Sequence, residues 1–175
     1  MITSMLRLLC FIIAISTSSA LAEVTAKGET GFNLKISRAV PVEPAAAYNQ
    51  FLKVDEWWIK GHTWFGSAEN LSIDASAGGC FCEIDGERQV HHMLVTFVDP
   101  SREIKLTGGL GPLQMMGVHG GMSWRFEPAG AGTEIILNYN VSGFAPGGLL
   151  DLAEVVDAIL TAQLEALIAQ IERSN

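Results

Sequence analysis

The run from Leu149 to Ile171 constrains this chain more than any other stretch. Leu149, Leu152, Ala153, Val156, Ile159, Leu160, Leu164, Leu167, Ile168 and Ile171 recur at intervals of three and four, while Asp151, Glu154, Thr161, Glu165 and Glu172 fall on the other side. The spacing predicts one amphipathic helix of roughly 23 residues, about 35 Å long. Pro146-Gly147-Gly148 ends what precedes it, and Asp151 and Glu154 put negative charge near the positive end of the helix dipole. Two polar residues interrupt the apolar face. Asp157 is expected at its rim, reaching water or an arginine, with a polar role inside a cavity as the sharper alternative; Gln163 falls between Val156 and Ile159.

A helix of this kind needs a sheet to cover, and the preceding residues supply strands. Phe32, Leu34 and Ile36 alternate with polar residues up to Pro41, and Pro44 opens a short helix running to Leu52. A second short helical turn from Asp55 to Ile59 carries Trp57 and Trp58. Leu71 to Ile73, Cys80 to Ile84, Gln89 to Val98, Ile104 to Thr107, Met122 to Glu127 and Ile135 to Val141 then read as strands, the last two joined by a hairpin at Gly130-Ala131-Gly132. The expectation is an α+β helix-grip fold: a curved antiparallel sheet of about seven strands wrapped around the long C-terminal helix, with two short helices after the first strand. One helix cannot cover so wide a sheet, so the uncovered part predicts a cavity between them.

Residues 1–22 stand apart. Arg7 precedes the apolar run Leu8 to Ile15, polar Ser16 to Ser19 follow, and Ala20-Leu21-Ala22 has the small-x-small form of a cleavage site. This predicts an export signal cut after Ala22, too short in its apolar part for an anchor, followed by a single domain over 23–175 in the periplasm or outside the cell. The whole chain carries a net charge of −8, and loss of Arg7 makes it one unit more negative. So acidic a domain is a poor partner for nucleic acid and for an anionic membrane surface.

Several stretches resemble a known superfamily: Ile36 to Ala47, the pair Trp57-Trp58, Gly78-Gly79-Cys80-Phe81-Cys82-Glu83, Leu110 to Leu113 and the closing helix. Together they resemble the SRPBCC or START-like helix-grip superfamily, in particular the small bacterial members of its polyketide cyclase, dehydrase and lipid-transport group. The resemblance spans essentially the whole chain after residue 22. It implies a deep apolar cavity but no particular reaction, since members range from binders to enzymes.

The candidate site follows from these expectations. Trp57, Trp58, His62 and Trp64 are expected near the cavity mouth, Met115, Met122, Trp124 and Tyr139 along its sheet wall, and Val156, Leu160 and Gln163 on the helix. The first reading is a small or medium apolar ligand bound there without a cofactor. The second is an enzyme of cyclase, dehydratase or hydrolase type, with His92 as acid or base oriented by Glu83 or Asp157. Strand alternation separates His91 from His92, so one of the two faces inward. Cys80 and Cys82, two apart on a strand, have Cα atoms about 6.5–7 Å apart if the strand is regular. They are therefore expected as free, buried cysteines; a thiolate metal site would need histidines from neighbouring strands.

Overall fold

The computed structural model describes residues 23–174, so the expected export signal lies outside the described residues. Eight antiparallel strands form one sheet: β1 (Glu23–Gly28), β2 (Gly31–Val40), β3 (Leu71–Ile73), β4 (Cys80–Asp85), β5 (Arg88–Asp99), β6 (Glu103–Thr107), β7 (His119–Ala129) and β8 (Gly132–Ser142). Their order across the sheet is β1-β2-β8-β7-β6-β5-β4-β3. Two short helices, α1 (Pro44–Leu52) and α2 (Val54–Trp57), follow β2, and α3 (Leu150–Arg173) closes the chain. The helix-grip architecture is present, with one strand more than the sequence suggested. That strand is β1, whose Glu-Val-Thr-Ala-Lys-Gly lacks a run of alternating large apolar residues. It forms by pairing with β2 through a hairpin.

Alternation decides which side of each strand is buried. Phe32, Leu34 and Ile36 on β2, Met122, Trp124 and Phe126 on β7, and Ile135, Leu137, Tyr139 and Val141 on β8 are buried side by side. Between β7 and β8 the chain reverses in two residues, and Gly130 takes φ +60° there, where a side chain would be strained. At the end of the sheet away from that of β3, α3 packs on β1 and β2, and its flank meets α1 and α2. Ala153, Leu160, Leu164, Leu167 and Ile171 form its buried stripe. Tyr48, Phe51, Trp57, Trp124 and Phe126 fill the space below α1 and α2, with ring centroids 4.9–6.1 Å apart.

Two places depart from regular pairing with consequences for the site. On β4 and β5, Glu83 pairs with Val90 and Cys82 with His91, but Phe81 pairs with Met93, so His92 is an extra residue in a β-bulge. At the same bulge the Cα atoms of Cys80 and Cys82 come to 5.4 Å, and the two sulfurs form a disulfide. The expectation of free cysteines is therefore corrected. It assumed a fully extended strand, whereas the bulge shortens the Cα–Cα span into the range a disulfide can bridge. In this state neither sulfur is a thiolate, and the Cys80 and Cys82 metal reading loses its ligands.

Candidate functional site

Between α3 and the uncovered part of the sheet lies a cavity of about 450 Å³. One wall is the α3 flank made of Leu152, Val155, Val156, Ile159 and Leu160; the facing wall is Leu110 to Leu113 with Met116, and Tyr139 and His92 project from the sheet. Trp58 and the loop Gly61 to Trp64 close the end nearest α2. Trp64, Met116, Val155 and Ile159 are exposed at the same time as they line it, which marks the open side. A volume of this size suits a small or medium organic molecule.

The wall keeps its shape through paired polar groups. Gln163, fully buried on α3, accepts from the Ile59 backbone N–H at 3.0 Å, and its Nε2 lies 2.7 Å from His62 Nδ1. This pins the loop that bears His62 to the helix. The Tyr139 hydroxyl donates to the Gly108 carbonyl and accepts from the Leu110 N–H, both at 3.1 Å, and fixes the opposite wall. Burial pushes that phenol up to about 12, so it stays protonated. A Cβ at position 120 would sit 2.5 Å from the Tyr139 ring, so the ring can lie against β7 because that residue is glycine.

At the inner end, the fully buried Glu83 accepts hydrogen bonds from the backbone N–H groups of Trp64 at 2.8 Å and Phe65 at 2.6 Å. Its Oε2 also lies 3.3 Å from Nε2 of His92, which is 5% exposed. Burial holds His92 below the usual imidazole range, with the hydrogen bond and charge of Glu83 acting in the opposite direction and His91 adding to the lowering. The neutral ring then carries its proton on Nε2, facing the carboxylate, which leaves Nδ1 as an acceptor. Phe81 packs against the ring at 5.0 Å and against Trp58 at 5.2 Å. His91 is on the outer side and exposed, so the inward histidine is His92.

The sequence candidates divide accordingly. Trp58, His62, Trp64, His92, Tyr139, Val156 and Leu160 line the cavity, and Gln163 supports it from behind. Trp57, Met122 and Trp124 do not reach it; they are packed in the aromatic core around a void of about 10 Å³. Met115 is 79% exposed outside the cavity, and its neighbour Met116 takes the wall position because the 3-10 turn Gly111–Gln114 rotates successive side chains apart. Asp157 lies on the other flank of the α3 stripe, away from His92 and the cavity. Desolvation and then Glu154 raise its carboxyl while Arg38 of β2 lowers it. The enzyme reading therefore keeps Glu83 as the partner of His92 and loses Asp157. Sequence reasoning missed Leu152, Val155 and Ile159 as lining. Leu110 to Leu113 stood out as a stretch shared with the superfamily the sequence resembles, and that signal does not say which way it faces.

Comparison with known proteins bears on the fold and the family. Residues 32–172 match the family model described as polyketide cyclase / dehydrase and lipid transport. The chain belongs to this family. Similar solved structures include a protein of Rhizobium leguminosarum with TM-score 0.58 and 17% identity, covering 89% of this chain and 99% of that one. Another is the Mll3558 protein of Rhizobium loti, with TM-score 0.57 and 19% identity over 78% of this chain and 94% of that one. Ara h 8.0201 aligns with TM-score 0.55 and 15% identity over 82% and 98% of the two chains. At these identities the likeness establishes a shared fold. Among curated proteins, no sequence matches the chain. Membership of the family supports binding of hydrophobic ligands in general terms. Among the described residues no helix is long and apolar enough to cross a membrane.

Proposed function

We propose that this protein is an exported carrier or receptor that holds one small or medium, largely apolar molecule between α3 and the sheet. The observation that carries the reading is the cavity of about 450 Å³, walled by Trp58, Leu110, Leu113, Val156 and Leu160 and open at Trp64. The Cys80–Cys82 disulfide supports the export part, because such bonds persist in oxidising compartments. Native mass spectrometry of protein purified from its own host tests the reading directly: a copurifying organic molecule released on denaturation is expected. Titration with apolar ligands should also change indole fluorescence. Trp58→Phe combined with Trp64→Phe should remove most of that change, since these two indoles line the cavity while Trp57 and Trp124 are in the core. A protein that neither retains nor takes up any apolar ligand sinks the proposal.

The buried contact between His92 and Glu83 at the cavity wall favours a second reading, acid or base catalysis of a cyclase, dehydratase or hydrolase kind. In it His92 moves the proton and Glu83 orients the ring. Incubation with the recovered ligand separates the two: a carrier returns it unchanged. An enzyme converts it, and His92→Ala then loses about 10²–10⁴-fold of the rate.

A further inference from the structure

The disulfide of Cys80 and Cys82 encloses a single residue, Phe81. Phe81 and Glu83 are buried on the inner side of β4, and by alternation the two cysteines, both half-buried, belong to its outer side. Ser72 and His91, which pair with Cys82 on β3 and β5, and Leu94, which pairs with Cys80, are exposed on that outer face, as is Ile84, two residues beyond Cys82. The neighbours of the disulfide on both sides are thus open to solvent, and Ile84 and Leu94 give the surface around it an apolar character.

A bond that closes so short a loop restrains the unfolded chain little, so it adds little to the stability of the fold. A disulfide on an open face with that little holding it is the kind that thiols open and reclose. It is also joined to the cavity. The Phe81 ring lies 5.0 Å from that of His92 and 5.2 Å from that of Trp58, and both of those line the cavity. Glu83, the residue after Cys82, holds the backbone of Trp64 and Phe65 at the mouth. With the bond closed, the Cα atoms of Cys80 and Cys82 are 5.4 Å apart; a regular strand spans about 6.5–7 Å over two residues, so opening the bond frees β4 to lengthen at Phe81. We propose that Cys80 and Cys82 form a reversible exchange site for a dithiol, and that their redox state shifts the cavity wall at Phe81, Trp58 and His92. In the exchange a thiolate of the dithiol attacks one sulfur, the Cys80–Cys82 bond breaks, and the departing sulfur takes up a proton. The second thiol of the reagent then displaces the mixed disulfide, so the dithiol leaves as its own disulfide and both cysteines end as thiols, a two-electron reduction. The exchange does not rest on the cavity being a ligand site.

The test uses the oxidised chain from Glu23 onward and dithiothreitol, with reduction followed by alkylation and intact mass in native buffer and in urea. In native buffer the rate should rise in proportion to dithiothreitol while the core indole fluorescence is retained. It should stay within about a hundredfold of the rate in urea, whereas a disulfide reached only through global unfolding would react slower by the folding equilibrium constant, roughly 10³–10⁸. Oxidised dithiothreitol should restore the bond. In NMR spectra of the reduced chain the Trp58 indole N–H and the His92 ring signals should move, while the amides of β2, with four strands between it and β4, stay in place. Cys80→Ser combined with Cys82→Ser should give the reduced spectrum without reductant. Reduction that occurs only as the chain unfolds overturns the exchange site. Unmoved Trp58 and His92 signals in the reduced chain overturn its link to the cavity. Both decisive measurements are made on the wild-type sequence, so neither depends on a variant that folds.

Discussion

Glu83 Oε2 and His92 Nε2 lie 3.3 Å apart with both side chains out of water, and strand register is what brings them together. Glu83 pairs with Val90, so His92, two residues on, shares its inner face. The bulge at His92 then resets the alternation, and Met93 and Val95 continue inward behind it. The same carboxylate holds the backbone of Trp64 and Phe65, so one acid fixes both the histidine and the loop at the cavity mouth.

This pair has a pH signature. Burial puts the folded-state pKa of His92 below its unfolded value, Glu83 opposing in part. The unfolded chain therefore binds the proton first as pH falls. The contribution of His92 to stability is complete above about pH 6.5, the ordinary imidazole value, and is lost as pH falls through the lower folded-state pKa. Urea midpoints measured from about pH 7.5 down to about pH 5 should fall more steeply for the wild type than for His92→Phe. Parallel profiles would show that His92 is not held neutral.

Asp157 should behave in the opposite sense. Desolvation raises its carboxyl and Glu154 adds to this, against Arg38. The folded chain takes up a proton there before the unfolded chain does, so the penalty for holding the charge is present at neutral pH and disappears as pH falls through the raised pKa. Asp157→Asn is expected to raise the thermal midpoint at neutral pH, with the gain shrinking on acidification. A lowered midpoint at neutral pH would mean that the Arg38 interaction outweighs burial.

The rotation of α3 can be checked by truncation. Leu164 is fully buried in the stripe facing the sheet, and Leu164→Ala should cost about 2–5 kcal/mol. Glu165, next in sequence, is half exposed and bonded to Arg38 at 2.6 Å. Glu165→Ala should cost no more than about 1 kcal/mol, as surface ion pairs contribute little. Denaturant unfolding of both variants gives the comparison, and equal losses would show the helix turned otherwise.

In the chain from Glu23 onward, Cys80 and Cys82 should resist alkylation until a reductant is added, and then take up two labels, as intact mass would show. The loop they close is so short that chain entropy accounts for only about 1–2 kcal/mol. Cys80→Ser combined with Cys82→Ser should therefore fold with a modest drop in midpoint. Two labels without reduction would mean that the disulfide does not form.

Much of this protein was legible in local pattern. The three- and four-residue spacing of Leu152, Val156, Leu160 and Leu164 specifies an amphipathic helix wherever it occurs, and the two-residue alternation of β7 and β8 specifies half-buried strands. The proline at 44 and the glycine at 130 mark an element start and a turn through their own backbone preferences. A long helix with a wide antiparallel sheet then leaves few architectures, and the family resemblance selected one of them.

The tertiary structure decided what depends on contacts distant in sequence. β1 exists because β2 offers it an edge, not because of its own composition. Which of Trp57 and Trp58 meets the cavity follows from how α2 seats on the core, and the choice of Met116 over Met115 follows from one 3-10 turn. The bulge at His92 joins Cys80 to Cys82 and completes the inner face, yet a bulge is a property of two paired strands and leaves no mark in either alone. Asp157 reads from sequence as a rim residue with a place in the cavity as the alternative, and the alternative stays open there because a helical wheel gives angles around one helix and not the direction from which the sheet approaches. Periodicity is a property of neighbouring residues along the chain, so sequence carries it; register and orientation are settled only when separate elements pack and exclude water together.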